Sequence, residues 1–322
     1  MIPDLSVIVP YHNSESSLGH TLVSIYNQTG TNLEVILVND GSTDNSHKIV
    51  TGFIQSHPSK HKFIDICYNH SRGASEAFNI GLKNATANFV CKCDSDDTLS
   101  NDYYALMLDK ASNTNADIVV SPITVHKGHI TKILQPKSVG YLNDMAVNTA
   151  NFSLCNKIIK RKLLIDNSIE AYPHIDRWDD LGVVARIIAL RPKVATINNA
   201  GYHYILTPGV KSLSRSSSAK LLRDHLMCAM LIEIWLQQHN LDKEYAEFIH
   251  HLKILSKVKL LRCPPRNVEQ WKSMFPEANH GIMSLRHISL FHRLLFALTA
   301  KLPTGLSQRV ADIIDSAFNQ EC

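Results

Sequence analysis

The first hundred residues alternate short β-branched runs with helix-period segments, and each run stops at a polar loop. This rhythm is the strongest constraint on the fold, because parallel strands need a crossover connection, usually a helix. Leu5–Pro10 (Leu-Ser-Val-Ile-Val-Pro) reads as a buried parallel strand stopped by proline. Tyr11–Glu15 is a polar loop in which Ser14 or Ser16 can cap a helix carrying Leu18, Leu22 and Ile25, with Gly30 beyond its end. Leu33–Val38 is a second strand. It leads into Asn39-Asp40-Gly41-Ser42-Thr43-Asp44, where Thr43 or Asp44 can cap a helix reaching Gln55. Strand Phe63–Tyr68, loop Asn69–Ser75, a helix from Ala74 to Ala85 and strand Phe89–Cys93 continue the pattern. The segments predict a mostly parallel sheet with helices on both faces. Four loops, Tyr11–Glu15, Asn39–Asp44, Asn69–Ser75 and Asp94–Asp97, then converge on the carboxyl edge, where open α/β sheets bind ligands.

The fourth loop sets Asp94, Asp96 and Asp97 directly after a strand. Taken alone, these residues fit either a solvated Asp-rich turn or a station for a hard divalent cation such as Mg²⁺ or Mn²⁺ held with substrate phosphates. The first loop, Tyr-His-Asn-Ser-Glu, is neither G-x-G-x-x-G nor G-x-x-x-x-G-K-[ST], which disfavours a dinucleotide dehydrogenase and a P-loop enzyme. Carboxylates suit ribose hydroxyls, base N–H donors and a cation, with Arg72 a nearby donor for phosphate. With 44% apolar and 19% charged residues and a net charge of only +4, composition gives no sign of a nucleic-acid partner. Seven scattered cysteines with no C-x-x-C read as reduced thiols, and none of the seventeen histidines forms H-E-x-x-H. The start carries no signal-peptide pattern and no apolar run is long enough to span a bilayer, which predicts a cytoplasmic protein.

Ser6-Val-Ile-Val-Pro-Tyr-His-Asn, Val38-Asn-Asp-Gly-Ser-Thr-Asp44, Asn69–Gly81 and Asp94-Ser-Asp-Asp97 resemble, in order, the successive signatures of the family-2 glycosyltransferases of GT-A fold. The resemblance implies an α/β GT-A catalytic domain over 1–215, with a nucleotide-binding half near 1–100 and an acceptor half near 101–215. It also implies a nucleotide-sugar donor, commonly UDP-linked, a divalent metal (Mn²⁺ or Mg²⁺) and inverting transfer to a hydroxyl of a glycan or lipid-linked glycan. By the same resemblance Pro10, Tyr11, Asn13, Arg72, Gly73 and Asn79 line the nucleotide and Asp40 contacts the base. Asp94 lies near the ribose, and Asp96 binds the metal with help from Asp94. Two positions depart from the family pattern: Asn39 stands where many members carry a second Asp, and Phe78 where an Arg often precedes the Asn.

Downstream, the spacing predicts a helix over Asn101–Ala111 and strands over Ile118–Thr124 and Ile130–Leu134. Leu154–Leu164 resembles the family's stretch before a basic helix, and an exposed basic helix face reads equally well. Asp179 and Asp180 open an apolar helix with Leu181, Val184, Ile187 and Ile188 inward, where the helix dipole favours acids and a simple cap accounts for both. The pair also resembles the family's Glu-Asp whose second acid is the catalytic base, which implies that role for Asp180 with Asp179 in support. His203, in strand Tyr202–Leu206, stands where some relatives carry a metal-binding histidine. Lys211 and Arg215, in a Ser-rich segment, are candidates for the diphosphate or a charged acceptor. From 216 to 322 the chain turns helical, with Leu222, Leu226, Met230 and Ile234 as one apolar row. Leu285–Lys301, rich in Arg, His and Leu, suits either a membrane interface or packing against the catalytic domain or another copy of the chain. A sugar nucleotidyltransferase and a non-catalytic glycan- or nucleotide-binding subunit remain alternatives. The first lacks its usual Gly-rich loop, and the second is disfavoured by retention of both acidic stations.

Overall fold

A computed structural model describes residues 2–57, 60–137, 142, 149–206, 219–262, 268–284, 290–307 and 309. The chain divides into two compact units, Met1–Val210 and Lys211–Cys322.

The first unit begins with β1 (Leu5–Tyr11), α1 (Leu18–Tyr26), β2 (Leu33–Asp40), α2 (Ser46–Ser56), β3 (Lys62–Tyr68), α3 (Ala74–Asn84) and β4 (Phe89–Lys92). It continues with β5 (Thr98–Leu99), α4 (Tyr103–Thr114), β6 (Ile118–Val120), β7 (Ile123–Lys127), β8 (Ile130–Leu134), α5 (Thr149–Phe152) and β9 (Lys157–Lys160). It ends with α6 (Arg161–Asp166), α7 (Asp179–Ala189), β10 (Val194–Thr196) and β11 (Tyr202–Leu206). A seven-stranded sheet runs in the order β10-β6-β9-β4-β1-β2-β3. Every neighbouring pair in it is parallel except those of β9, which is antiparallel to both β4 and β6. A four-stranded sheet, β5-β11-β7-β8, lies beside it.

β1 and β2 are buried almost throughout, as their continuous apolar runs require of central parallel strands. Leu5, Val7 and Val9 join Leu33, Val35 and Leu37 on one face, against Leu18, Leu22 and Ile25 of α1 and Val50 and Phe53 of α2. β3 is an edge strand and half exposed. The observed elements depart from the sequence expectation at two places. The strand expected over Ile118–Thr124 divides at Ser121-Pro122, because Pro122 has no N–H to continue the ladder and the chain passes to the second sheet. In the basic stretch, Ile158 and Ile159 are buried in β9, and the helix begins only at Arg161.

In the second unit, α8 (Ala219–Gln238), α9 (Ala246–Arg262), α10 (Val268–Ser273) and α11 (Leu290–Lys301) are joined in part by two short 3₁₀ turns. The buried row of α8 is Leu226, Ala229, Ile232 and Leu236, while Met230 and Ile234 face outward. A strict four-residue step drifts around a helix of 3.6 residues per turn, so the row expected from sequence leaves the core. Helix α11 buries Leu295 and Phe296 and exposes Leu290, Phe291, Leu294 and Leu298. Among the described residues no helix is long and apolar enough to cross a membrane.

One buried carboxylate fastens the sheet below the loops. Glu34 accepts from Ser6 Oγ (2.8 Å), Lys62 Nζ (2.9 Å), Thr86 N (2.8 Å) and Thr86 Oγ1 (2.9 Å). Burial alone would raise its pKa, but these donors outweigh burial and hold the carboxyl below its ordinary value. Glu34→Ala leaves the buried Ser6 hydroxyl and the two Thr86 donors without their acceptor and is expected to lower stability by about 1–3 kcal/mol in urea denaturation at pH 7. With the folded pKa below the unfolded one, the contribution of Glu34 is present above the unfolded value of about 4.3 and is lost as pH falls through the folded pKa. The gap between wild type and variant should therefore close in acid. An equal gap at all pH values would remove the ionic part of this account.

Candidate active site

The four loops at the carboxyl edge are joined to one another by hydrogen bonds. Between the first and second, Asn13 N donates to Ser42 Oγ (3.1 Å), Thr43 N donates to Asn13 Oδ1 (2.8 Å), and Asn45 N donates to Glu15 Oε2 (2.8 Å). Asn13 holds φ +48°, a left-handed conformation that asparagine tolerates. Asn45 is the N-cap of α2 and makes no side-chain cap bond; Asp44, one residue earlier, accepts from Ser46 N at 2.9 Å and so satisfies the first helical N–H. Between the second and third loops, Asp40 accepts from Ser71 Oγ (2.6 Å), Arg72 N (2.7 Å) and Gly73 N (3.0 Å). Gly41, at φ +69°, packs its backbone on this turn so closely that a Cβ would stand 2.5 Å from His70 C. Between the first and fourth, Ser14 Oγ meets Ser95 Oγ at 2.9 Å, and Ser17 Oγ and Thr21 Oγ1 donate to Ser95 O at 3.1 and 3.0 Å.

Burial sorts the three acids of the fourth loop. Asp97 is fully buried and accepts from Tyr202 OH (2.7 Å) and Ile205 N (3.0 Å). Asp94 lies between, with one oxygen 3.1 Å from Lys92 Nζ. Asp96 is at the exposed rim, yet the surrounding protein removes enough water and Asp94 adds enough negative charge to push its carboxyl up to about 6. An exposed carboxylate oxygen set raised by a like charge is a good fit for a hard divalent cation, with Asp96 and Asp94 as its holders.

Lys92 is the residue that sequence reasoning missed. Its side chain is only 9% exposed, and its ammonium lies 3.1 Å from Asp94 Oδ1, 3.1 Å from Asp180 Oδ1 and 3.6 Å from Asp179 Oδ2. Burial alone would lower its pKa, but Asp180, Asp94 and Asp179 together raise it well above the ordinary value. The only signal in the sequence is a charged residue at a strand position that the fold must bury. Asp180 is further fixed by Leu154 N, which donates to Oδ2 at 2.9 Å. Asp179, pushed up to about 7 by burial and by Asp180 and Asp94 against the pull of Lys92, opens α7 beside it. Trp178 turns the chain into that helix at φ +61°. The side chains of Asp179 and Asp180 keep 19% and 15% of their surface open to solvent.

Three residues expected at the nucleotide or metal make contacts within the protein. Asn79 is 2% exposed and spends its amide on Ala171, donating to its carbonyl (2.9 Å) and accepting from its N–H (2.7 Å), so it cannot read a nucleotide. His203 has Nε2 3.0 Å from Ser100 Oγ and Nδ1 3.0 Å from His126 Nε2, contacts that a metal on either nitrogen would have to displace. The Tyr11 ring is 2% exposed in the core, its hydroxyl donating to Asp65 Oδ1 at 3.4 Å, so it is not an open stacking surface. Pro10 is half-buried at the end of β1. Arg72 lies over the Tyr68 ring, 4.1 Å from its centre. Lys211 and Arg215 lie outside the described residues.

A mostly parallel sheet whose carboxyl edge gathers acids from the fourth loop and from α7 is the architecture of the GT-A glycosyltransferases. Residues 6–170, just over half of the chain, match the family model described as Glycosyl transferase family 2, and the chain belongs to that family. It is 28% identical to glycosyltransferase GlyA of Streptococcus pneumoniae over 72% of this chain and 32% of GlyA. To the cholesterol galactosyltransferase of Borreliella burgdorferi it is 26% identical over 74% of this chain and 69% of that protein. The chain thus spans about a third of the length of the first relative. Staphylococcus aureus TarS 1–349 in complex with UDP-GlcNAc superimposes with TM-score 0.70 at 19% identity, covering 98% of this chain and 92% of that one. The mannosyltransferase PcManGT of Pyrobaculum calidifontis, in complex with GDP-Man and Mn²⁺, gives TM-score 0.53 at 17% identity over 100% and 89%.

The Lys92 cage yields a test of its own. Lys92→Met leaves three carboxylates facing one another and is expected to cost roughly 3–5 kcal/mol of stability at pH 7. The contribution of Lys92 is fully present there, because it is lost only as pH rises through a folded pKa above the unfolded value of about 10.4. Adding Asp180→Asn to Lys92→Met removes one of the facing charges and should recover at least about 1 kcal/mol, read as a coupling energy in a double-mutant cycle. Additive losses would mean that the two groups do not interact.

Proposed function

We propose that this chain is a divalent-cation-dependent, inverting glycosyltransferase that moves a sugar from a nucleotide-diphospho-sugar to a hydroxyl of a glycan or lipid-linked glycan acceptor. The observation that carries the proposal is the Lys92 cage, which joins the acidic loop after β4 to the acidic pair at the start of α7. A donor held over the loops would thereby lie next to a proton acceptor. UDP is the proposed nucleotide, supported by the uridine nucleotides in the TarS complexes.

In this reading Asp40 and the backbone of the third loop shape the base pocket, and Asp94 takes the ribose. Arg72 and Gly73 border the pocket from the third loop, and Asn13 and Pro10 from the first. A divalent cation, when bound at Asp96 and Asp94, supplies positive charge for the diphosphate. Asp180 accepts the proton of the acceptor hydroxyl as its oxygen bonds to the anomeric carbon, while the bond from that carbon to the nucleoside diphosphate breaks. A carboxylate offers about four acceptor sites. Lys92 and Leu154 N occupy one on each oxygen of Asp180, which fixes its orientation and leaves lone pairs for the incoming hydroxyl. Asp179, with its carboxyl near neutrality, stands beside it as the supporting acid.

A panel of nucleotide sugars with Mn²⁺ or Mg²⁺, repeated with chelator, is expected to give cation-dependent binding of one diphospho-sugar and slow release of its nucleoside diphosphate. Asp96→Ala should abolish the cation dependence. No binding to any donor by folded protein, with or without acceptor, would refute the transferase reading, and release of pyrophosphate from a nucleoside triphosphate would replace it.

The base assignment is tested separately. Asp180→Asn should leave donor affinity unchanged and lower kcat roughly 10²–10⁴-fold. Asp179→Asn should be markedly milder. The reverse order would transfer the role to Asp179.

A further inference from the structure

Away from the acidic loop, edge strand β3 and the first turn of α2 bring together three side chains of a different chemistry. Asp65 and Cys67 are two residues apart on β3 and therefore project from the same face of the sheet, the face that α2 covers. His47 reaches them from the second residue of α2. Cys67 Sγ is 3.4 Å from His47 Nδ1 and 3.6 Å from Asp65 Oδ1, and His47 Nδ1 is 3.6 Å from Asp65 Oδ2. One ligand atom from each residue falls within 4.8 Å of the other two, and all three residues are exposed.

We infer that His47, Asp65 and Cys67 form a second cation site, selective for a borderline-soft divalent metal of the Zn²⁺ class and separate from the oxygen site at Asp94 and Asp96. Zinc bonds of about 2.0–2.3 Å at tetrahedral angles place ligand atoms roughly 3.3–3.7 Å apart. The Cys67–His47 separation falls in that range, and Asp65 offers one carboxylate oxygen to each of them at 3.6 Å, so a small turn of its carboxyl group completes the set. The donor set makes the same selection. Thiolate and imidazole favour Zn²⁺ over Mg²⁺ or Mn²⁺, which prefer carboxylate and phosphate oxygens. Three protein ligands on an exposed edge leave the fourth position to water or an exogenous ligand. The site is also wired to the first two loops. Asp65 Oδ1 accepts from Tyr11 OH, and Cys67 lies in register with Asn39, which in turn lies in register with Tyr11. A metal there would clip edge strand β3 to α2 beneath the loop that carries Asp40.

The test uses the full chain, reduced and stripped with chelator, with Co²⁺ as a spectroscopic probe and Zn²⁺ as competitor. One equivalent of Co²⁺ is expected to give a thiolate-to-cobalt charge-transfer band that Zn²⁺ abolishes. Cys67→Ser should remove the band, and His47→Ala should weaken binding at least tenfold. Asp96→Asn should leave the band intact, which separates this site from the donor site. All three substitutions are at exposed positions, so the variants should remain folded. As a second readout, Zn²⁺ should slow alkylation of Cys67 and raise the Tm of wild type but not of Cys67→Ser. A wild-type protein without the band, or a band that survives Cys67→Ser, would overturn the assignment.

Discussion

A buried ammonium cannot exist alone, and Lys92 sets the terms for the whole carboxyl edge. Removing a charge of this size from water costs several kcal/mol unless opposite charges and hydrogen bonds surround it. Here three carboxylates do so, one from the loop after β4 and two from the start of α7. The converse is equally binding. Asp94, Asp179 and Asp180 would repel one another across this narrow space without the cation between them. Each station is therefore a condition for the other, and residues 85 or more positions apart in the chain are held in one electrostatic unit by a single side chain.

The rest of the edge inherits its rigidity from the sheet. β1, β2 and β4 end side by side because they pair in parallel register, so their loops emerge on the same rim. Short polar side chains then stitch neighbouring loops: Asn13 to Thr43, Asp40 to Ser71 and Gly73, Ser14 to Ser95. A network in which each buried or half-buried acceptor has several donors gains from the low local dielectric and loses heavily when one member is removed. Asp40, expected to face a base, already accepts three hydrogen bonds from the third loop. Its first task is to hold that loop in place.

What the sequence revealed and what it concealed follow a physical division. Strands Leu5–Pro10 and Leu33–Val38, which run on to Tyr11 and Asp40 in the structure, were legible because strands buried on both faces need unbroken apolar runs, and each run ends in a polar loop. The acidic stations were legible because several carboxylates in a row after a strand, or at a helix start, are a local pattern. β9 was not, since Lys-Ile-Ile-Lys is too short for its period to separate strand from helix. The inward contacts of Asn79, His203 and Tyr11 were concealed for another reason. Each belongs to a recognisable stretch, but its hydrogen-bond partner, Ala171, Ser100 and His126, or Asp65, lies far away in sequence. Local pattern reports which residues reach the edge of the sheet, and only the tertiary contacts report which of them turn inward.

The fourth loop shows how the same three acids acquire different chemistry from depth alone. Asp97 is sealed against Tyr202 and the backbone of β11, and its pKa is driven far up by burial and by Asp94 and Asp96, so it serves as an anchor. Asp94 is shared with Lys92 and carries the loop's link to α7. Asp96 alone faces outward while still feeling the charge of Asp94. A cation at that rim would relieve the repulsion that the fold has built up, and no comparable relief is offered to Asp97, which water does not reach. The order Asp-Ser-Asp-Asp therefore does not describe three equivalent ligands. It describes an inner support, a half-open bridge and an open acceptor, graded along four residues by the depth at which the turn leaves each one.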